Sequence, residues 1–463
     1  RSFSWSPMVL ATVFVVLTVV LNVADRLFPL ERTDDPAAEV DTRQGADQAG
    51  LPTPGFDFDS TLVDENVGIL NIRSVYDFDG AFNALGAGAS DIAALADPQQ
   101  TLADQRPARF LRIVKAVAIP DRDLVDLNGA DFGVSTQQLM REIIGYAPIE
   151  PDGSVRVKVP ANIPFAISVL DKDGKRITGR HQNWLQVRSG ELLTCNGCHD
   201  PASVASHGRM DAFDGLYSGA PFDGYIFPNT ETFFGDAGET MAESRTRLDP
   251  TALELSVDIR YADVWTDEAA AARPKDTPFD YSYADLDPSL TAPTSDSCQT
   301  NWDNLCRIVI NYEHHIHPLW NLDRGPSTCT TCHSNKDAGG QDMEPAGQLD
   351  LTDGASDLNA DHFKAYRELL SGDNAQALVD GALQDARVEI GVDPETGDPV
   401  FAPIGVAPSM SLTGARLSPA FFERFEAGGS HAGFLTPAEL RLLSEWLDLG
   451  AQYYNNPVED PVN

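Results

Sequence analysis

Hydrophobic and polar positions follow three different patterns along this chain. Ser154-Val155-Arg156-Val157-Lys158-Val159 alternates strictly, the period-2 signature of a half-buried strand. Phe110 to Val117 and Phe165 to Leu170 are short apolar runs of strand length, and the second ends in the turn sequence Asp171-Lys172-Asp173-Gly174. Ser256 to Trp265 returns to strand character, whereas residues 200–255 and 266–300 lack periodicity and read as loops. A small β-sandwich is predicted within residues 61–305. Beyond it the period becomes helical. Ile308, Tyr312, Ile316 and Leu319 share one helix face, and Pro318 must end or kink that helix. Thr436-Pro437-Ala438-Glu439 is a capping box with proline at the first helical position. Leu440, Leu443 and Leu447 form the apolar stripe behind it, and Gly450 stops it.

The third pattern is a charge-free run dominated by Val, Leu and Phe, Met8 to Ala24. With its apolar flanks it is long enough to span a bilayer, and Trp5 falls where an interfacial aromatic belongs. A signal peptide would have a shorter apolar core and a small-residue cleavage site, which is not evident after Val23. The chain opens on Arg1, so further residues are expected upstream. Residues 31–60, rich in Asp, Pro, Gly and Gln, read as a linker. The predicted architecture is α+β and multidomain. It has a transmembrane anchor (1–30), a linker (31–60), a β-sandwich-like domain (61–305) and a helical domain (306–463).

At 463 residues the chain exceeds what one core usually organises. Its net charge of −37, with only 7 lysines among 33 basic residues, excludes nucleic acid as a partner. The acidity could be a docking face for a basic redox protein. Because it is spread along the whole sequence, a generally solvated surface is the better reading.

Cysteine usage adds the chemistry. Four of six cysteines fall in two pentapeptides, Cys195-Asn196-Gly197-Cys198-His199 and Cys329-Thr330-Thr331-Cys332-His333. Cys-x-x-Cys-His is the attachment signal of a c-type haem. Two thiolates form thioethers and the histidine supplies an axial nitrogen to iron. A zinc ribbon would place its cysteine pairs about 15–20 residues apart, and these lie more than 130 apart, each followed by histidine. Two covalently bound haem c groups are therefore expected. Cys298 and Cys306 remain and would form a local disulfide in an oxidising compartment. Haem attachment and disulfide both place the domains on the periplasmic side of the inner (cytoplasmic) membrane, held by a single-pass anchor. Asp171 and Asp173 lack a full calcium-loop pattern and read as a plain turn.

His199 and His333 are the expected proximal ligands. Whether each iron has a sixth protein ligand separates electron transfer from catalysis. For the first haem His181 and His207 flank the motif and rank equally. For the second the candidates are His314, His315, His317, Met410 and His431. His315 ranks slightly above Met410, which sits where a class I cytochrome c places its distal methionine. A zinc site at the three clustered histidines is disfavoured, because neighbouring helical side chains diverge. Both irons are expected to be six-coordinate.

Several segments resemble hydrazine synthase alpha-subunit-like proteins. They are Arg141-Glu142-Ile143-Ile144-Gly145-Tyr146-Ala147-Pro148, Glu150 to Ser154, Val159-Pro160-Ala161-Asn162 and Arg188-Ser189-Gly190-Glu191. His315-Ile316-His317-Pro318-Leu319-Trp320 and Trp446 to Tyr454 extend the likeness. The resemblance spans roughly residues 110–460. It implies a β-rich domain carrying one haem and a class I cytochrome c-like domain carrying the other. It does not carry hydrazine chemistry with it, since the propeller region of those proteins has no room here.

The leading expectation is a membrane-anchored electron-relay cytochrome. It would be a subunit of a larger membrane redox complex, with a redox protein as donor or acceptor. The alternative is a di-haem enzyme, a peroxidase or hydrazine-synthase-like catalyst with one open iron. A third is a structural subunit whose haems carry no current. No phosphate loop, nucleophile elbow or His-Glu-x-x-His sequence offers another catalytic centre.

Overall fold

The computed structural model describes residues 59–456, except 122, 125–126, 128–131, 135–139, 182, 200–214, 222–226 and 232–234. The apolar run at 8–24, most of the linker and His207 lie outside the described residues. Among those described, no helix is long and apolar enough to cross a membrane.

The fold is mixed α+β. Strand β1 (Val67–Ile72) is the centre of a three-stranded sheet. β2 (Phe110–Ala116) is the centre of a second, between β3 (Arg141–Pro148) and β5 (Phe165–Leu170), both antiparallel to it. β1 pairs antiparallel with β4 (Val155–Pro160) and parallel with β6 (Leu192–Cys195). The alternating segment is thus a strand, but only Arg156 along β4 is partly exposed. Lys158 is drawn inside because Glu65 and Glu254 hold its ammonium at 2.5 and 2.6 Å. Within the Ser256–Trp265 stretch only β7 (Ile259–Tyr261) forms, paired with β8 (Phe279–Tyr281). Cys298 and Cys306 are joined in a disulfide, with Cα atoms 5.6 Å apart.

One apolar core runs from Leu62 to Tyr454 and does not part at residue 306. Ile308 exchanges backbone hydrogen bonds with Ile143 of β3, and the Tyr312 amide donates to the Tyr453 carbonyl. The helix expected from Ile308 to Leu319 is reduced. Tyr312–Ile316 makes one wide turn closed by the His317 amide on the Tyr312 carbonyl. A short helix, Pro318–Asn321, follows. Pro318 has no amide to continue the ladder, which is why the segment breaks there. Among the described residues, the class I cytochrome arrangement of two long crossing helices is therefore not formed.

The C-terminal helix forms as expected. After α1 (Met241–Leu248), α2 (Cys329–Cys332) and α3 (Lys364–Leu370), helix α4 spans Pro437–Leu449. Thr436 and Glu439 close the capping box, and Gly450 ends the helix at φ 116°, in the left-handed region. Its polar face is also buried. Arg441 pairs with Glu445 at 2.7 Å, and the Tyr146 and Tyr283 hydroxyls donate to Glu445 at 2.5 and 2.6 Å. From the same helix Asp448 accepts from Arg112 of β2 at 2.7 Å, bolting the helix to the second sheet. Between α3 and α4, residues 376–403 form two hairpins with largely exposed side chains.

Candidate functional site

The first Cys-x-x-Cys-His motif continues β6. Parallel pairing ends with Cys195 beside Ile72, and the turn after β1 then grips the motif. The amides of Arg73 and Ser74 donate to the carbonyls of Cys195 and Asn196, and Cys198 donates to Asp77. Gly197 is required by this wrapping. A Cβ there would lie 2.3 Å from the Asp77 carbonyl oxygen and 2.4 Å from that of Ser74.

The second motif is helical. Thr328 precedes α2, and the His333 amide closes it on the Cys329 carbonyl. Arg324, just upstream, hydrogen-bonds Glu439 of α4 at 2.6 Å and the Leu319 carbonyl at 2.7 Å. The two motifs thus rest on different supports, a sheet edge and a short helix whose upstream residue Arg324 is tied to α4.

Each motif histidine faces a second histidine. His181 and His199 have ring centroids 6.3 Å apart, and His333 and His431 have theirs 5.9 Å apart. Two imidazoles bound end-on to one metal, with nitrogens about 2 Å from it, place their centroids about 6 Å apart. The second pair also has supporting contacts. His333 Nδ1 lies 3.3 Å from the Leu349 carbonyl and His431 Nδ1 lies 2.7 Å from Ser430 Oγ. With those nitrogens engaged, each Nε2 is the one left to face a metal, the usual outer-shell arrangement of a ligating histidine. Phe425 and Phe434 flank His431, with centroids at 5.6 and 5.3 Å. Burial lowers the pKa of His181, His333 and His431 alike, favouring the neutral imidazole that binds metal.

The cysteines suit haem attachment. Cys195, Cys198, Cys329 and Cys332 form no disulfide. Burial pushes the Cys198 thiol up to about 12 and raises that of Cys329. Among the described residues no group of three or more His, Cys, Asp or Glu is arranged to hold a metal ion. Two imidazoles suffice where a porphyrin supplies the other four nitrogens.

The remaining sequence candidates are otherwise engaged. His315 Nδ1 sits 2.9 Å from the Asn311 amide, and burial pushes its pKa down to about 4. His314 contacts the His315 ring. His317 packs on Phe363 with centroids 4.5 Å apart, and Asn321 approaches its Nε2. Met410 is a core residue, 3% exposed, its amide bonded to the Leu369 carbonyl. The order in which His315 and Met410 stood above His431 is reversed by this geometry. The signal available in sequence was local: Gly428-Gly429-Ser430-His431 lies in a loop just before α4, where the chain can present an imidazole to α2.

Residues 108–200 match the family model of the hydrazine synthase alpha subunit middle domain. That segment holds β2 to β6 and the whole first motif, so the chain resembles hydrazine synthase alpha-subunit-like proteins there. Among solved structures, a chain of Kuenenia stuttgartiensis hydrazine synthase is 17% identical, with a TM-score of 0.39. The match covers 85% of this chain and 44% of that one, so this chain spans under half of its length. No curated protein matches.

Proposed function

We propose that this chain is a di-haem c-type cytochrome that relays electrons, with haem c at Cys195/Cys198 and at Cys329/Cys332. The observation that carries the reading is the second histidine opposite each motif histidine, His181 for His199 and His431 for His333. A haem iron whose two axial positions are both filled exchanges single electrons without binding a substrate. The protein's own part is to hold the four imidazoles and to keep the motifs rigid through β6 and α2. We further propose an inner-membrane location, with residues 8–24 as the anchor and the haem domains in the periplasm. Other subunits of a membrane redox complex and a redox protein would be the partners.

The test is spectroscopic. The purified ferric protein should give two low-spin signals, and the reduced protein should not bind carbon monoxide. A high-spin ferric signal or carbon monoxide binding without any mutation would refute closure of both irons.

A second reading is a di-haem enzyme with an open first iron, related to hydrazine synthase. The match of residues 108–200 to that family favours it. It requires His181 to leave the first iron. Carbon monoxide binding confined to the first haem would select it.

A further inference from the structure

Three arginines gather around His181 and His199 without an acidic partner. Arg141 opens β3, Arg176 follows β5, and Arg180 precedes His181. The charges of Arg141 and Arg176 reach Arg180, and those of Arg141 and His199 reach His181, so the five side chains share one neighbourhood. In a chain with 70 acidic and 33 basic residues, an arginine near a carboxylate is the ordinary case. Arg112, Arg245, Arg273, Arg324 and Arg441 all have one. Among the described residues, Arg141, Arg176 and Arg180 form no ion pair.

Their contacts account for the difference. The one carboxylate nearby, Asp448, is spent. Its Oδ2 accepts from Arg112 Nη2 at 2.7 Å and from the Arg176 backbone amide at 3.0 Å, and its Oδ1 accepts from the Ala415 amide at 3.0 Å. The Arg176 and Arg180 guanidiniums reach only carbonyls, those of Thr178 and Thr413 for Arg176 and that of Asp448 for Arg180. Arg141 lies over the Trp184 ring, 5.1 Å from its centroid. The Nε atom of each of the three is buried without a hydrogen-bond partner. Three partly buried like charges with unused donors cost stability unless anions meet them.

We infer that Arg141, Arg176 and Arg180 are the carboxylate site for the two propionates of the haem attached at Cys195 and Cys198. This rests on the di-haem reading above. Haem c carries two carboxylates on one edge, and a guanidinium is the side chain suited to bind a carboxylate in bidentate fashion. The site lies beside the His181–His199 pair. Its charge favours the ferrous over the ferric state, so it also sets the first haem's potential.

The test uses the full-length holoprotein and its R141M, R180M and R141M/R180M variants, with R387M on the exposed hairpin as a control. Haem content is read by pyridine haemochrome and peptide mass at both motifs. The potential of each haem is read by redox titration followed by EPR. The expected result is haem at both motifs, with the first haem's potential lowered in each single variant and further in the double. The second haem's potential and R387M should not change. R141K and R180K, which keep the charge, should restore most of the shift and guard against misfolding. An unchanged first potential in a double variant that carries both haems would overturn the inference. So would a saturable response of the wild-type first haem to acetate or nitrite that the double variant loses, since the arginines would then hold a free anion. Absence of haem at Cys195/Cys198 in the wild type would instead sink the di-haem reading itself.

Discussion

His431 lies with its ring centroid 5.9 Å from that of His333, its ring tilted by 32°, although almost a hundred residues separate them. The contact brings a loop before α4 onto the end of α2. Replacing His431 with alanine should open the second iron. A high-spin ferric signal should appear at that haem, together with carbon monoxide binding, while the first haem keeps its spectrum. Replacing Met410 with leucine should leave both haem spectra unchanged and cost less than about 1.5 kcal/mol, since it only repacks a core position. Absorption and EPR spectra of the two variants check this. An altered second haem in M410L with an unaltered one in H431A would restore Met410 as the ligand.

Gly197 should tolerate no side chain. In G197A the new methyl would meet two backbone carbonyls, at 2.3 and 2.4 Å, which cannot rotate away as a side chain could. Relieving that overlap by moving the wrapping turn should cost at least about 1–3 kcal/mol. Haem attachment should fall at Cys195/Cys198 and stay intact at Cys329/Cys332. Peptide mass spectrometry of the two motifs gives the comparison directly, and equal occupancy in G197A would contradict the wrapping described here.

Local features were legible in the sequence, and long-range ones were not. The capping box at Thr436 and Glu439, the stop at Gly450 and the strands at 110–116 and 165–170 depend on neighbours within a few residues. The attachment motifs are likewise contiguous. By contrast β6 lies parallel to β1 across more than a hundred residues, and a four-residue strand has too short a pattern to announce that pairing. The His333–His431 pair is of the same kind. His315 misled because its helical spacing is real in sequence, while Pro318 confines the helix to one wide turn in which Asn311 occupies the imidazole. The arginine site was invisible for another reason. Whether an arginine has a partner depends on which carboxylates are already taken, and Asp448 is taken by Arg112 and two backbone amides.

The Arg112–Asp448 pair joins β2 to α4 with both side chains fully buried. Removing the negative partner leaves a buried charge uncompensated, which costs about 3–5 kcal/mol. D448N should therefore lower the denaturant midpoint strongly. The double variant R112M/D448L should recover only part of the loss, because an apolar pair removes the uncompensated charge but leaves the Arg176 and Ala415 amides without their acceptor. Equilibrium unfolding of the three proteins checks the order. A D448N protein as stable as the wild type would mean that this pair does not hold the sheet to the helix.

Glu368 gives the fold a dependence on pH. It lies on α3, its Oε2 accepting from the Asp350 amide at 3.4 Å, with the Asp373 and Asp350 carboxylates close by. Lys364 on the same helix does not neutralise it, being paired with Asp350 at 2.6 Å. Burial first, and then the charge of Asp373, raise its pKa from 4.5 to about 7. The folded chain thus holds this proton more tightly than the unfolded chain does. The resulting stability is fully present below about pH 4.5 and is lost as pH rises through about 7. The loss should be on the order of 2 kcal/mol once the group's partial exposure is allowed for. E368Q keeps the acceptor for the Asp350 amide and cannot ionise. It should match the wild type near pH 5 and exceed it at pH 8. Urea unfolding at the two pH values measures the difference, and parallel pH profiles for the two proteins would show that Glu368 is ionised in the fold throughout.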